Sequence, residues 1–231
     1  MKNTILIKTW LTVLIVTFTV SCTSGHKTAD AKGTDYTTMS PEELAEHLIF
    51  EAKGFKLDQK IQEGGTVRDR MKQDEIQKVC SALKKRRVDS STAQKVSTIA
   101  RNNMRYPKGG IRLGDWKKGR ALAQNAFGFR VGHKTDQHKK RKPGGMCVNC
   151  HVLDSRMTIP SGNLGPSLRG YGKTRGQSEA VMKYTYEVIY NPHSVFPCTN
   201  MPRLGANGFI NQEQIRDVMA YLLDPKSPIN Q

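Results

Sequence analysis

Residues 144–154 read Gly-Gly-Met-Cys-Val-Asn-Cys-His-Val-Leu-Asp, and the Cys147-X-X-Cys150-His151 core constrains this chain more than any other feature. Two thiols three apart, with an imidazole directly after them, serve three chemistries. A structural zinc site wants four nitrogen or sulfur ligands, usually from a second Cys-X-X-Cys or a spaced histidine pair. The rest of the sequence has no second Cys-X-X-Cys. A dithiol redox pair belongs between a strand and a helix of a βαβ unit, a pattern missing here. Covalent haem needs only what these five residues supply: Cys147 and Cys150 for the two vinyl groups of one porphyrin, and His151 as an axial iron ligand. The reading is one haem c, covalently attached.

Attachment of that kind takes place outside the cytoplasm, and the N-terminus supplies an export signal. Lys2 and Lys8 precede an apolar run from Leu11 to Val20, short for a membrane span, followed by Ser21 and Cys22. Residues 1–21 are read as a signal peptide, with Cys22 placed as in a bacterial lipoprotein signal. Thr19 stands where that signal usually has Leu or Val, so cleavage nearby or at Ala29-Asp30-Ala31 is an alternative, and an uncleaved anchor a third. All three place the remainder in the periplasm. With Cys22 assigned to the signal, Cys80 and Cys198 are left over; in an oxidising compartment two distant leftovers pair, and a Cys80–Cys198 disulfide is expected. The competing reading is a reactive thiol at either position, near Lys78 or Arg203.

The organisation expected from the sequence is all-α. Residues 22–38 are a polar tether. Residues 39–108 form a helical extension: a helix capped by Ser40 with Pro41 first and Glu43 closing a capping box, ending at Gly54; one stretch from Val67 to Leu83; and another from Ser91 to Met104. These have too few large apolar residues to stand alone and are expected to wrap around residues 109–228. That domain opens with a helix capped by Asp115 and running through Ala126, with Gly119 on its apolar face. Residues 128–146 are expected as a surface loop. Helices follow over Ser178–Tyr190 and over Asn211–Leu223, the latter ended by Asp224-Pro225. No alternating strand pattern or internal repeat is present. The formal charge of +17 suits acidic partners. The basic runs Lys84–Arg87 and Lys139–Lys142 read as solvated faces, and export argues against nucleic acid.

A second axial ligand follows from the haem reading. Candidates are Met157, Met182, His193, Met201 and Met219 after the motif, and Met104, Met146, His133 and His138 before it. Met157 is too near His151 in sequence to cross to the opposite face. Met182 and Met219 lie on helix stripes, as core residues do. His193 reads as a surface histidine, a ligand or a pH-sensitive contact. Met201 is chosen because it stands in a loop, and Pro202 holds the chain extended there. Pro166 offers a carbonyl that can orient the second ring nitrogen of His151, although Gly165-Pro166 can also be an ordinary turn.

Gly119 within a helix, Cys147-X-X-Cys150-His151, Gly165-Pro166, Met201-Pro202 and a last helix ending in Tyr221-Leu222 together resemble class I cytochromes c. Leu113–Gly119, Leu164–Gly172, Tyr184-Thr185-Tyr186, Cys198–Gly205 and Gln73–Ser81 resemble more closely the SoxX family, over about residues 67–228. The resemblance implies a class I cytochrome c fold in which the first and last helices cross and Gly119 meets Tyr221. It further implies a mono-haem electron-transfer subunit paired with SoxA in the SoxAX complex. That heterodimer is an L-cysteine S-thiosulfotransferase that couples thiosulfate oxidatively to a cysteine of the SoxYZ carrier. This subunit would be non-catalytic, passing the released electrons to a soluble cytochrome c. Nothing matches the catalytic site of SoxA. The basic insertion 139–142 and the N-terminal extension depart from the family pattern. An independent periplasmic mono-haem carrier is the alternative.

Overall fold

The computed structural model describes residues 33–61, 65–83, 87–127, 142–156 and 160–231. Two compact units divide the chain, Met1–Glu46 and His47–Gln231. In the first, Asp35 caps a 3₁₀ turn over Tyr36–Thr38, and α1 spans Pro41–Glu46. The Ser40 capping box forms as expected: Glu43 N–H donates to Ser40 Oγ, and Ser40 N–H donates to Glu43 Oε2 at 2.8 Å.

The second unit begins with a π-helical turn, His47–Glu51, and an isolated antiparallel bridge between Lys60 and Thr66. Its helices are α2 (Val67–Met71), α3 (Glu75–Ser81), α4 (Ser90–Asn102), α5 (Trp116–Gln124), α6 (Tyr171–Arg175), α7 (Glu179–Tyr190) and α8 (Gln212–Leu223). The described residues contain no β-strand, so the chain is all-α as expected. The single helix expected over 67–83 is two. Lys72 turns extended, and Asp74 starts α3 afresh with its own capping box to Gln77. The helix expected to reach Ala126 stops at Gln124, because Asn125 is extended and its amide donates to Lys142 O at 3.0 Å. A fourth short helix, α6, and 3₁₀ turns at Pro192–Ser194 and Pro228–Asn230 carry no periodic pattern, and the sequence reading passed over them.

The main core packs Leu153, Tyr186, Ile215, Met219, Tyr221, Leu223 and Ile229 around the crossing of α5 and α8. What permits the crossing is a missing side chain. A Cβ on Gly119 would collide with the Asp217 carbonyl and come within 2.9 Å of Val218 N. The glycine therefore seats on the backbone of α8 at Asp217 and Val218, one turn before Tyr221. Asp217 completes the joint by accepting from Asp115 N–H at 2.7 Å, while Gly114 N–H donates to Arg216 O at 3.0 Å. A smaller cluster of Ile76, Val96 and Ala100 joins α3 to α4, and Cys80 and Cys198 pack against it. Of the segments expected to wrap around the later domain, those from His47 onward thus belong to the same compact unit, with α4 packed on the Pro192–Ser194 turn.

Candidate haem-attachment site

Cys147 opens a 3₁₀ turn, Cys147–Asn149, packed against α5. The turn places Cys147 and Cys150 on consecutive loops of one short coil: Cys150 N–H donates to Cys147 O at 3.1 Å, and His151 N–H to the same carbonyl at 2.9 Å. Both thiols are free and partly exposed. Burial of its sulfur pushes the Cys147 thiol up to about 11. Val148 between them is buried and holds the turn to the core.

The His151 ring is fixed from the far side of the loop. Its Nδ1 lies 2.8 Å from Pro166 O, the pairing expected from the sequence. A carbonyl only accepts, so this bond puts the ring proton on Nδ1 and leaves the Nε2 lone pair as the available donor to a metal. Gly165 makes room for that arrangement: a Cβ there would lie 2.7 Å from Nδ1 and 2.9 Å from Nε2. Gly165 N–H also donates to Cys150 O at 2.7 Å, tying the two segments together. Gly162 is equally constrained, since a Cβ would collide with Asn149 O. Two free thiols and an imidazole oriented by Pro166, with ring clearance left by Gly165, fit a covalently attached haem.

Just beyond the histidine lies a buried polar knot that the sequence reading missed. Asp154, whose side chain is fully buried, accepts from Arg120 Nε at 2.9 Å, Gln124 Nε2 at 2.9 Å, Tyr221 Oη at 2.6 Å and Arg156 N–H at 2.9 Å. Burial raises the Asp154 carboxyl, but the Arg120 and Tyr221 bonds outweigh it and hold the group below the ordinary aspartate range. Burial and the neighbouring Asp154 push the Tyr221 phenol well above its ordinary value. One carboxylate thereby joins α5, α8 and the chain leaving His151. Its side-chain partners lie 30 to 67 residues away, so no local motif announces it.

Met201 lies partly buried in the loop 198–204, with its N–H donating to Thr199 Oγ1 at 3.3 Å. Cys80 and Cys198 form the expected disulfide, with an S–S distance of 2.03 Å. His193 is not a surface residue. It is buried, and its Nδ1 accepts from Cys198 N–H at 3.0 Å, so it supports the disulfide loop. Burial, assisted by Arg203, lowers its pKa. Met104 and Met219 are core residues, and Met182 packs at the core's edge. Met146 stands in the left-handed region, at φ 56°, directly before the motif. Cys22, Met157, His133, His138 and most of the two basic runs lie outside the described residues.

No family model matches the chain. It is 40 % identical over 160 residues to a protein described as an uncharacterized lipoprotein of Aquifex aeolicus (strain VF5). That match takes in 68 % of this chain and 73 % of the relative. The chain belongs to the family of that protein. No helix among the described residues is long and apolar enough to cross a membrane.

Proposed function

We propose that the protein is a mono-haem c-type cytochrome of the class I fold, an electron-transfer subunit exported to the periplasm. The observation that carries the reading is the 2.8 Å bond between His151 Nδ1 and Pro166 O, which prepares Nε2 for iron directly after two free thiols three residues apart. The crossing of α5 and α8 through Gly119 supports the fold assignment.

Haem bound here supplies a one-electron Fe(III)/Fe(II) couple. The chain's own part is division of labour. Cys147 and Cys150 would hold the macrocycle by thioether bonds and His151 would bind its iron, with Pro166 keeping the imidazole in one tautomer. Met201 would be the second ligand; a thioether favours Fe(II) and raises the potential. With His151 and Met201 both committed to the iron, the group would serve electron transfer and not substrate binding.

The close resemblance of Leu113–Gly119, Leu164–Gly172 and Cys198–Gly205 to the SoxX family extends the proposal to a partner. The protein pairs with SoxA in SoxAX, accepts the electrons released when thiosulfate is coupled to SoxYZ, and delivers them to a soluble cytochrome c. A positive surface steers acidic partners and speeds encounter. The relative's description as a lipoprotein supports lipidation at Cys22, which anchors the complex at a membrane. Purification from the native cell envelope tests this. A haem-bearing partner retained at high salt is expected; isolation alone, with haem attached, identifies an independent carrier instead.

A further inference from the structure

Both flanks of Met201 are tied to one short helix outside the main core. Three residues before it, Cys198 is bonded to Cys80, with their Cα atoms 5.3 Å apart. Two residues after it, the Arg203 guanidinium donates to Asp74 Oδ2 at 2.6 Å. Asp74 is the N-cap of α3, and Cys80 lies in its last turn. The two anchors therefore stand at opposite ends of α3, about 9 Å apart along its axis. The span from Cys198 to Arg203 reaches about 17 Å when extended, so pinning its ends to α3 holds it as an arch. Met201 lies within that arch.

The arch is braced at its feet. Cys198 adopts φ 57° and donates its N–H to His193 Nδ1 at 3.0 Å, and Thr199 N–H donates to Phe196 O at 3.2 Å. At the other end Leu204 is buried in the main core, and its N–H donates to Pro202 O at 3.0 Å. The helix that carries the anchors is itself seated: Ile76 packs on Val96 and Ala100 of α4. Burial raises the Asp74 carboxyl, yet the Gln77 amide and Arg203 hold it below its usual range, so it stays charged at neutral pH. Arg203 is largely buried, which shields this ion pair more than an exposed one.

We infer that α3 is a clamp on the Met201 loop, with Asp74 and Cys80 as positioning residues for the sulfur ligand. The inference rests on the haem reading above. A loop free to sample many arrangements presents its thioether correctly only part of the time, and apparent ligation falls by that fraction. Closing the loop at two points removes most of those alternatives. The early helices then have a function in the electron-transfer site although none of their residues touches the iron.

The test uses full-length, haem-loaded protein and two variants, Cys80→Ser/Cys198→Ser and Asp74→Asn. Three quantities are read: covalent haem by mass, the sulfur-to-iron band of the oxidised spectrum, and hydrogen exchange of the amides from Thr199 to Leu204. The clamp predicts unchanged haem attachment, loss of the band in the double variant and its weakening in Asp74→Asn. It also predicts loop exchange about tenfold faster or more. A band and exchange rates equal to wild type in both variants overturn it. Should the double variant fail to fold, Asp74→Asn together with reduction of the wild-type disulfide decides the matter by the same readouts. Absence of haem from the wild type refutes the haem reading instead, and loop exchange alone then judges the clamp.

Discussion

Pro166 O accepts the Nδ1 proton of His151 at 2.8 Å, fifteen positions away in sequence, where Gly165 leaves the ring its clearance. The relationship sets both the tautomer and the plane of the ring. It also divides the roles of two adjacent residues, since the carbonyl belongs to the backbone while the clearance depends on a missing side chain.

Gly165→Ala is therefore expected to be severe and Pro166→Ala mild. The alanine Cβ at 165 would stand 2.7 Å from Nδ1, inside contact distance, and must push the ring off its acceptor. At 166 the acceptor carbonyl survives substitution. Haem staining of the mature proteins, normalised to polypeptide, checks this: a several-fold loss is expected for Gly165→Ala and near-normal loading for Pro166→Ala.

Gly119→Ala tests the helix crossing. The added methyl meets the Asp217 carbonyl, which is backbone and cannot swing aside, so α5 and α8 must separate. Overpacking of this kind costs about 2 kcal/mol or more. A lowered urea midpoint with an unchanged slope is the expected result.

Asp154→Asn tests the buried knot. The substitution leaves the Arg120 guanidinium without its carboxylate, and breaking such a pair costs about 3 kcal/mol. The sign with pH follows from the lowered carboxyl. Its contribution is full above the ordinary aspartate value of 3.8 and disappears as the pH falls on through the lower folded value. The stability gap between wild type and Asp154→Asn, measured by urea titration, should be constant near neutrality and close progressively below pH 3.8.

Tyr221→Phe removes one of four donors to Asp154 and keeps the buried ring. A loss of about 1 kcal/mol is expected, smaller than for Asp154→Asn, because Arg120, Gln124 and Arg156 N–H still satisfy the carboxylate. The same urea titrations rank the two variants.

Much of this was legible in the sequence because it is local. Capping residues at Ser40, Asp115 and Asn211 announce their helices within three positions. Counting cysteines after export left one pair, and Cys80 and Cys198 are bonded. The break between α2 and α3 was hidden because Asp74 reads equally well as an interior residue of one longer helix and as the cap of a second. Resemblance gives the crossing of two helices, but where Gly119 meets the backbone of α8, at Asp217 and Val218, depends on their rotation about their axes. His193 and Asp154 could not be placed at all. A histidine after Pro192 looks exposed until α4 covers the turn, and the donors to Asp154 converge from three separate elements.

The central claim is that one haem is bonded through Cys147 and Cys150. The most direct measurement is the mass of the proteolytic peptide containing both cysteines, taken from protein purified from its native cell envelope. The account predicts a peptide heavier by a single haem, with neither cysteine open to alkylation. A peptide of bare polypeptide mass, with both thiols alkylated, would contradict it.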